Sequence, residues 1–339
     1  MPTFTAGALG VDFDQIDLGS LSLGQVSSAS STSFVISGSG ESDQFFGSGF
    51  TFAGGLPMTG TITHVIDTTL GVQAFDLDGL NLSAADFVNW VTTGSSEAAK
   101  IAVFAGADLI NGSNANDVLR GYGGDDTING ADGNDYIDGG DGNNSIHGGL
   151  GGDVIVVSSG TNYLRGDEGD DQIVGGTGFD DINGNQGDDT CSGGPGDDWV
   201  VGGKGDDVLA GDDGDDIVWG NLGADTLDGG DGNDQIRGGQ GDDSLSGGAG
   251  NDFISGDRGA DTESGGPGAD TFHTFSGAGI DKVLDFNLAE GDRVMIDPGT
   301  VFTVSQVGAD TVIDMGAGDQ MILVGVQMST LTGSWIFGA

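Results

Sequence analysis

The chain has 339 residues, 70 of them glycine, and 54 acidic against 8 basic side chains give a formal net charge of -46. That composition lies outside the ordinary globular range, and the acidity argues against nucleic acid or an anionic membrane surface as partner. The length allows two or three units. A lone cysteine, Cys191, leaves no disulfide framework. The opening MPTFTAGALGVDFDQID has neither a basic n-region nor an apolar h-region, and no run is long enough to span a bilayer, so neither a general secretory signal nor a transmembrane segment is expected.

Residues 1–102 are low in charge and rich in Ser, Thr, Gly and Phe. Strand-like pieces are TSFVIS at 32–37, GFTFAG at 49–54, TITHVID at 61–67 and VQAFDL at 72–77. A helix is expected to start at Ser83, the N-cap of NLSAADFVNWV with Asp86 three residues on, and SSEAAKIAVFAG is a second helical piece. The segment reads as a β-rich N-terminal module with a short helical hinge that caps the first turn of the repeats beyond residue 102. The histidines are His64, His147 and His273, without a His-Glu-x-x-His motif, and no Gly-x-Ser-x-Gly elbow occurs. Carboxylates at Asp12, Asp14, Asp17, Glu41, Asp43, Asp67, Asp76 and Asp78 form no recognisable catalytic constellation, so an enzyme is not expected.

From Val103 to His273 the sequence repeats every nine residues, nineteen times without insertion or deletion, as in GGDGNDQIR, GGQGDDSLS and GGAGNDFIS at 229–255. Each nonad reads Gly-Gly-x-Gly-x-Asp-x-apolar-x. The sixth positions are Asp108, Asp117, Asp126, Asp135, Asn144, Asp153, Asn162, Asp171, Asp180, Asp189, Asp198, Asp207, Asp216, Asp225, Asp234, Asp243, Asp252, Asp261 and Asp270. Glycines that accept φ > 0 let six residues turn tightly and present carbonyls. A turn offering carbonyls and one carboxylate is half the oxygen shell of a calcium ion, which an adjacent turn completes. The other three residues suit a short strand with its middle side chain inward. The architecture is therefore expected to be all-β, a parallel solenoid around a seam running Ile110, Leu119, Ile128 and onward through Cys191 to Ile254, Glu263 and Phe272. Between 103 and 273 stand 36 acids and 5 bases, an excess of 31 negative charges that opposes folding until cations neutralise it. Glu263 is the one charge on the seam, with Lys282 or Arg293 as candidate partners, or else it marks where the seam ends.

On these residues the segment closely resembles the repeats-in-toxin (RTX) family. The resemblance implies a calcium-loaded parallel β-roll with two nonads per turn, each calcium lying between nonads n and n+2 on sixth-position carboxylates and loop carbonyls. Odd and even nonads then make separate columns. Within the odd column Asn144 and Asn162 are successive members, so one site lacks both carboxylates. The pairs of Asp126 with Asn144 and of Asn162 with Asp180 lack one each, and the nonad at 157–165 also lacks its leading glycines. A weak or empty stretch is expected there, the alternative being that asparagine carbonyl oxygens still ligate.

Residues 274–339 alternate instead, in DKVLDF, RVMID, TVIDM and QMILVGV, and read as strands of a C-terminal cap. The resemblance implies secretion from a Gram-negative cell by type I machinery, using an uncleaved C-terminal signal, although the ending SWIFGA lacks the acidic residue some relatives carry. Laying out residues eighteen apart puts Trp199 beside Ile217 and Val201 beside Trp219, with Tyr163 and Phe253 farther along that face, an apolar contact patch for another protomer, a glycan or the N-terminal module. The functional expectation is a secreted calcium-binding protein with a structural, adhesive or self-assembling role, partnering itself or other surface and matrix components. The alternative is a polysaccharide-modifying enzyme or a carbohydrate-binding accessory protein.

Overall fold

The structure, a computed structural model, describes residues 104–338 continuously and, before them, six strands: β1 (Thr3–Ala6), β2 (Gln25–Ala29), β3 (Ser33–Gly38), β4 (Glu41–Ala53), β5 (Leu56–Thr69) and β6 (Val72–Ser83). Two compact units divide the chain, Met1–Tyr163 and Leu164–Ala339, the cut falling inside the repeat array.

In the first unit β2 to β6 form an antiparallel meander, β2 with β3, β3 with β4, β4 with β5 and β5 with β6. Strand β1 pairs antiparallel with β6 on one side and parallel with β7 (Leu109–Asn111) on the other, so that Phe4 stands opposite Ile110. The N-terminal strand thereby joins the meander to the first strand of the roll, closing an edge that would otherwise expose unpaired amides. The strand-like pieces of the sequence fall on β3 to β6. Ser83 ends β6, and the residues of the two expected helices up to Val103 lie outside the described residues. Among the described residues the one helix is the single 3-10 turn Met328–Thr330.

From β7 onward each nonad contributes one short strand to one of two parallel ladders. In the first unit, Leu109 pairs with Thr127 and Thr127 with Ser145 on one ladder, and Val118 with Tyr136 and Tyr136 with Val154 on the other. The second unit repeats this register. Asp181 faces Trp199, Trp199 faces Ile217, Ile217 faces Gln235 and Gln235 faces Phe253, while the opposite ladder runs Thr190, Val208, Thr226 and Ser244. The chain is thus an all-β parallel β-roll over its repeats. Its eighth-position side chains are buried almost without exception, Ile236 and Ile254 at 0 % exposure, and Cys191 fits between Ile173 and Leu209 as a free buried thiol.

The glycines are needed by close approach. Gly241 has φ +142°, and a Cβ there would fall on the Gly223 carbonyl oxygen of the preceding coil. Only a residue without a side chain lets the turns stack at strand spacing.

The cap extends both ladders. Ile280–Val283 pairs parallel with Thr262–Ser264 and with Asp319–Leu323, and Arg293–Ile296 pairs with Thr271–Thr274 and with Ile336–Gly338. Thr303–Val307 and Asp310–Gly316 form an antiparallel hairpin against Asp319–Leu323. Phe272, Phe286 and Trp335 close the seam as an aromatic cluster, tilted at 6.2 Å and edge to face at 6.3 Å, so the apolar segment around Trp335 is built into the fold.

Glu263 forms no pair with either expected cation. The pleat turns Lys282, opposite Thr262, and Arg293, opposite Thr271, outward into solvent, whereas Glu263 is fully buried and takes the Gly256 amide on Oε1 at 2.8 Å. Burial above all, and then the charge of Asp281, push its carboxyl well above the usual range.

The inward alternation sets a test. Ile236→Ala is expected to cost about 2–5 kcal/mol in calcium-saturated urea unfolding, and Gln235→Ala, one residue away on the exposed face, less than about 0.5 kcal/mol. Equal effects would refute the assigned faces.

Candidate metal sites of the roll

Every nonapeptide turn presents its sixth-position side chain inward, and these carboxylates are nearly inaccessible to solvent, Asp180 and Asp270 at 0 % and Asp207 at 1 %. They are linked along each column. The amide of Asp198 donates to Asp216 Oδ1 at 2.7 Å, that of Asp216 to Asp234 Oδ1 at 2.8 Å and that of Asp234 to Asp252 Oδ1 at 2.9 Å. The other column does the same from Asp171 to Asp261, and in the first unit so do Asp108 to Asp126 and Asp117 to Asp135 and Asp153. The spacing of eighteen residues read from the sequence is thus the spacing of physical contact.

The second oxygen is what singles out these turns. Oδ2 of Asp126, Asp135 and each sixth-position aspartate from Asp189 to Asp270 is buried without a hydrogen-bond partner, and so are both oxygens of Asp108. A buried unsatisfied carboxylate oxygen is costly, and a cation removes the cost. Oxygens also converge here. The small space above the Cα of Gly211 is bounded by Asp216 Oδ2 and the Gly229 carbonyl oxygen, and those above Gly220, Gly229 and Gly247 by Asp225 with Gly238, Asp234 with Gly247 and Asp252 with Gly265. Two anionic or carbonyl oxygens from adjacent turns are the beginning of a hard-cation shell and suit calcium. Among the described residues no three His, Cys, Asp or Glu side chains gather into a cluster that could hold a metal alone, because these turns oppose single carboxylates to main-chain carbonyls.

Two positions differ. Asp117 Oδ2 is already taken by the Ser113 amide at 2.6 Å and the Ser113 hydroxyl at 3.0 Å, so the second nonad meets this need from its own turn. At Asn144 the side-chain oxygen keeps the column, accepting the Asp126 amide at 3.1 Å, and the Asn144 amide in turn reaches Asn162 Oδ1 at 2.9 Å. But Asn144 Nδ2 donates to the Gly142 carbonyl at 3.4 Å, placing an N–H donor where other turns have an unpartnered oxygen. Above Gly139 a Cβ would meet Val157 Cγ1 and Ile146 Cδ1 at 2.8 Å and Asn144 Nδ2 at 3.1 Å, with no oxygen among these nearest atoms. Val157, standing where the repeat has its leading glycine, fills that space with methyl groups.

Burial raises the column carboxyls, to about 6 at Asp189, Asp216 and Asp234 and to about 7 at Asp198, Asp207, Asp243 and Asp252, although the amide each accepts pulls the other way. Neighbouring carboxylates add to the rise.

Of the other residues singled out by sequence, Trp199 does face Ile217 and Val201 does face Trp219. The two indoles meet edge to face at 5.5 Å, with Trp199 37 % exposed and Trp219 Nε1 buried without a partner. Phe253 stacks on His273 at 5.7 Å, and Tyr163 lies 6.0 Å from His147. Asp12, Asp14 and Asp17 lie outside the described residues. The other N-terminal acids fall on β4 to β6, where the backbone register sets Asp43 opposite Asp67 and His64 opposite Asp78. Sequence reasoning missed Asp281 and Asp292 of the cap, buried at 1 % and accepting the amides of Asp261 and Asp270 at 3.4 Å and 3.1 Å. The signal was present, since Ser276–Leu284 reads SGAGIDKVL, a nonad displaced by two residues.

This geometry makes two measurements decisive. Because folding raises the carboxyl pKa values above their unfolded values, the metal-free folded roll binds more protons than the unfolded chain between about pH 4 and 7. In chelator its stability should therefore rise as pH falls from 7.5 to 5, followed by far-UV circular dichroism, while in calcium acidification over the same range should release metal and destabilise. A metal-free chain most stable at neutral pH would contradict this. Asn144→Asp alone should add no bound calcium, because Val157 still fills the turn, whereas Asn144→Asp with Val157→Gly should raise the measured calcium count by at least one.

A family match agrees with this geometry. Residues 104–263 match, in overlapping segments, the family described as RTX calcium-binding nonapeptide repeat (4 copies). No curated protein sequence matches the chain. Among solved structures, the extracellular lipase LipA of Serratia marcescens is 21 % identical over 60 % of this chain and 39 % of its own, with a TM-score of 0.29. A subunit of the mannuronan C5-epimerase of Azotobacter vinelandii is 27 % identical over 40 % of this chain and 80 % of its own, with a TM-score of 0.26. The chain spans well under half the length of the lipase. Residues 104–263 are RTX calcium-binding nonapeptide repeats folded as a parallel β-roll.

Proposed function

We propose that the protein is a secreted, non-catalytic calcium-binding protein that folds on meeting calcium outside a Gram-negative cell, after export by type I machinery, and then acts structurally, by adhesion or self-assembly, at the cell surface or in the extracellular matrix. The observation that carries the metal part is the row of buried Oδ2 atoms without a hydrogen-bond partner from Asp189 to Asp270, which calcium would satisfy; sixth-position aspartates from Asp108 onward would hold it, with Asn144 and Asn162 the weak stretch. Extracellular modules bind calcium at roughly 10⁻⁴–10⁻³ M, matched to the outside of a cell. Among the described residues no helix is long and apolar enough to cross a membrane.

Support for assembly comes from the Trp199, Val201, Ile217 and Trp219 patch. Two indoles side by side on one strand ladder, one of them more than a third exposed, form a rigid amphipathic surface of the kind that anchors protein contacts. A second reading, contact with an anionic polysaccharide, rests on a shallow groove of about 570 Å³ lined by Arg237, Gln240, Arg258, His273 and Phe275, which gathers two of the eight basic residues of the chain beside Asp257, paired with Arg237 at 3.0 Å, and Asp297.

Size-exclusion chromatography with light scattering tests the first reading. In millimolar calcium the hydrodynamic radius should shrink and the mass exceed 33.8 kDa, and Trp199→Ser with Trp219→Ser should return it to the monomer. A compact monomer in calcium would reject self-assembly and turn attention to the groove, where Arg237→Ala with Arg258→Ala should abolish retardation in a gel containing anionic polysaccharide.

A further inference from the structure

The carboxylate columns outlast the nonapeptides. Beyond His273 two inserted residues, Thr274 and Phe275, shift the frame, and Ser276–Leu284 then rebuilds the turn in SGAGIDKVL. Each part has its counterpart. Gly279 has φ +120° and crosses the Gly259 carbonyl so closely that a Cβ would fall on its oxygen, as at the fourth position of the repeats. The Gly259 amide donates to the Ala278 carbonyl at 2.7 Å and the Lys282 amide to the Asp261 carbonyl at 2.9 Å, the same backbone bonds that join nonads n and n+2 along a column. Val283 occupies the seam at 0 % exposure. Asp281 then stands at the sixth position, 1 % exposed, with Oδ1 facing the Asp261 amide.

That turn also holds more buried carboxyl groups than any repeat. Asp261 Oδ2 lies above Gly256 without a hydrogen-bond partner, and Glu263 reaches back from the seam to the Gly256 amide and leaves its own Oε2 buried and unpartnered. Lys282 points into solvent, and among the described residues no ion pair involves Asp261, Glu263 or Asp281. At the end of the odd column Asp292 Oδ2 accepts the Asn287 amide at 2.7 Å, and in the even column the Thr274 hydroxyl also bonds the Asp281 side chain, leaving Asp261 Oδ2 and Glu263 Oε2 as the unpartnered atoms.

We propose that Asp281 of the C-terminal cap pairs with Asp261 to form one further divalent-cation site, which fastens the cap to the last even turn and draws added negative charge from Glu263. This rests on the reading of the roll as calcium-loaded. The site takes a hard cation such as calcium, because every side-chain donor is a carboxylate oxygen. Asp281→Asn should leave the fold intact, since an asparagine oxygen can accept the Asp261 amide as Asn144 accepts that of Asp126.

The test is the number of calcium ions bound per full-length chain by equilibrium dialysis, at the lowest free calcium that saturates the unaltered protein. Asp281→Asn should bind one fewer. Asp261→Asn should bind two fewer, because it serves the sites shared with Asp243 and with Asp281. If Asp281→Asn binds as many as the unaltered chain and Asp261→Asn loses one, the cap site is refuted while the roll reading stands. No calcium on the unaltered chain would overturn both. Circular dichroism in calcium identifies an unfolded variant, and cap loosening by Asp281→Asn is then read independently from Trp335 emission in saturating calcium, with Trp90, Trp199 and Trp219 replaced by Phe, which should be red-shifted in the variant relative to the same background with Asp281 intact and unshifted if Asp281 holds no cation.

Discussion

Everything in this roll depends on the divided use of one side chain. In most turns the sixth-position aspartate accepts the amide of its predecessor two nonads back through Oδ1 and leaves Oδ2 buried without a donor. The first bond sets the register, and the second atom creates a demand that only a proton or a cation can meet. The same residues thus specify the stacking and make it conditional on metal.

The surrounding sequence is arranged to keep that arrangement possible. Glycine at the first position leaves room for the carboxylate, and glycine at the fourth lets turns cross backbone on backbone. A single inward aliphatic residue per nonad gives a continuous but thin seam, too little apolar surface to hold an excess of 31 negative charges together unaided. Where the carboxylate is missing the roll fills the gap with its own atoms, the Asn144 amide and the Val157 methyls, and where it is present at Asp117 the Ser113 amide and hydroxyl satisfy its second oxygen. The ends are finished differently, by β1 pairing with β7 at the start and by the Phe272, Phe286 and Trp335 cluster at the finish.

Much of this was legible because an unbroken period of nine converts sequence distance into spatial contact. The seam, the pairing of residues eighteen apart and the meeting of Trp199 with Ile217 all come from counting. What counting missed lies where the period shifts or where orientation matters. Asp281 is hidden by two inserted residues. Glu263 looked like half of an ion pair until the pleat turned Lys282 and Arg293 outward. Which atom of Asn144 faces the turn, and that Val157 folds over Gly139, are facts of packing that no pattern encodes. The insertion of β1 between β6 and β7 joins residues about a hundred positions apart, beyond the reach of local periodicity.

The measurement that reaches the central claim most directly is a long-wavelength anomalous difference map from crystals grown in calcium. The account predicts a row of peaks along each column, each within about 2.3–2.6 Å of the oxygens of sixth-position aspartates, and no peak at the turn of Asn144 and Val157. Peaks confined to the exposed fifth-position acids, or buried columns without peaks in a well-folded roll, would show that calcium is not what satisfies the buried carboxylates.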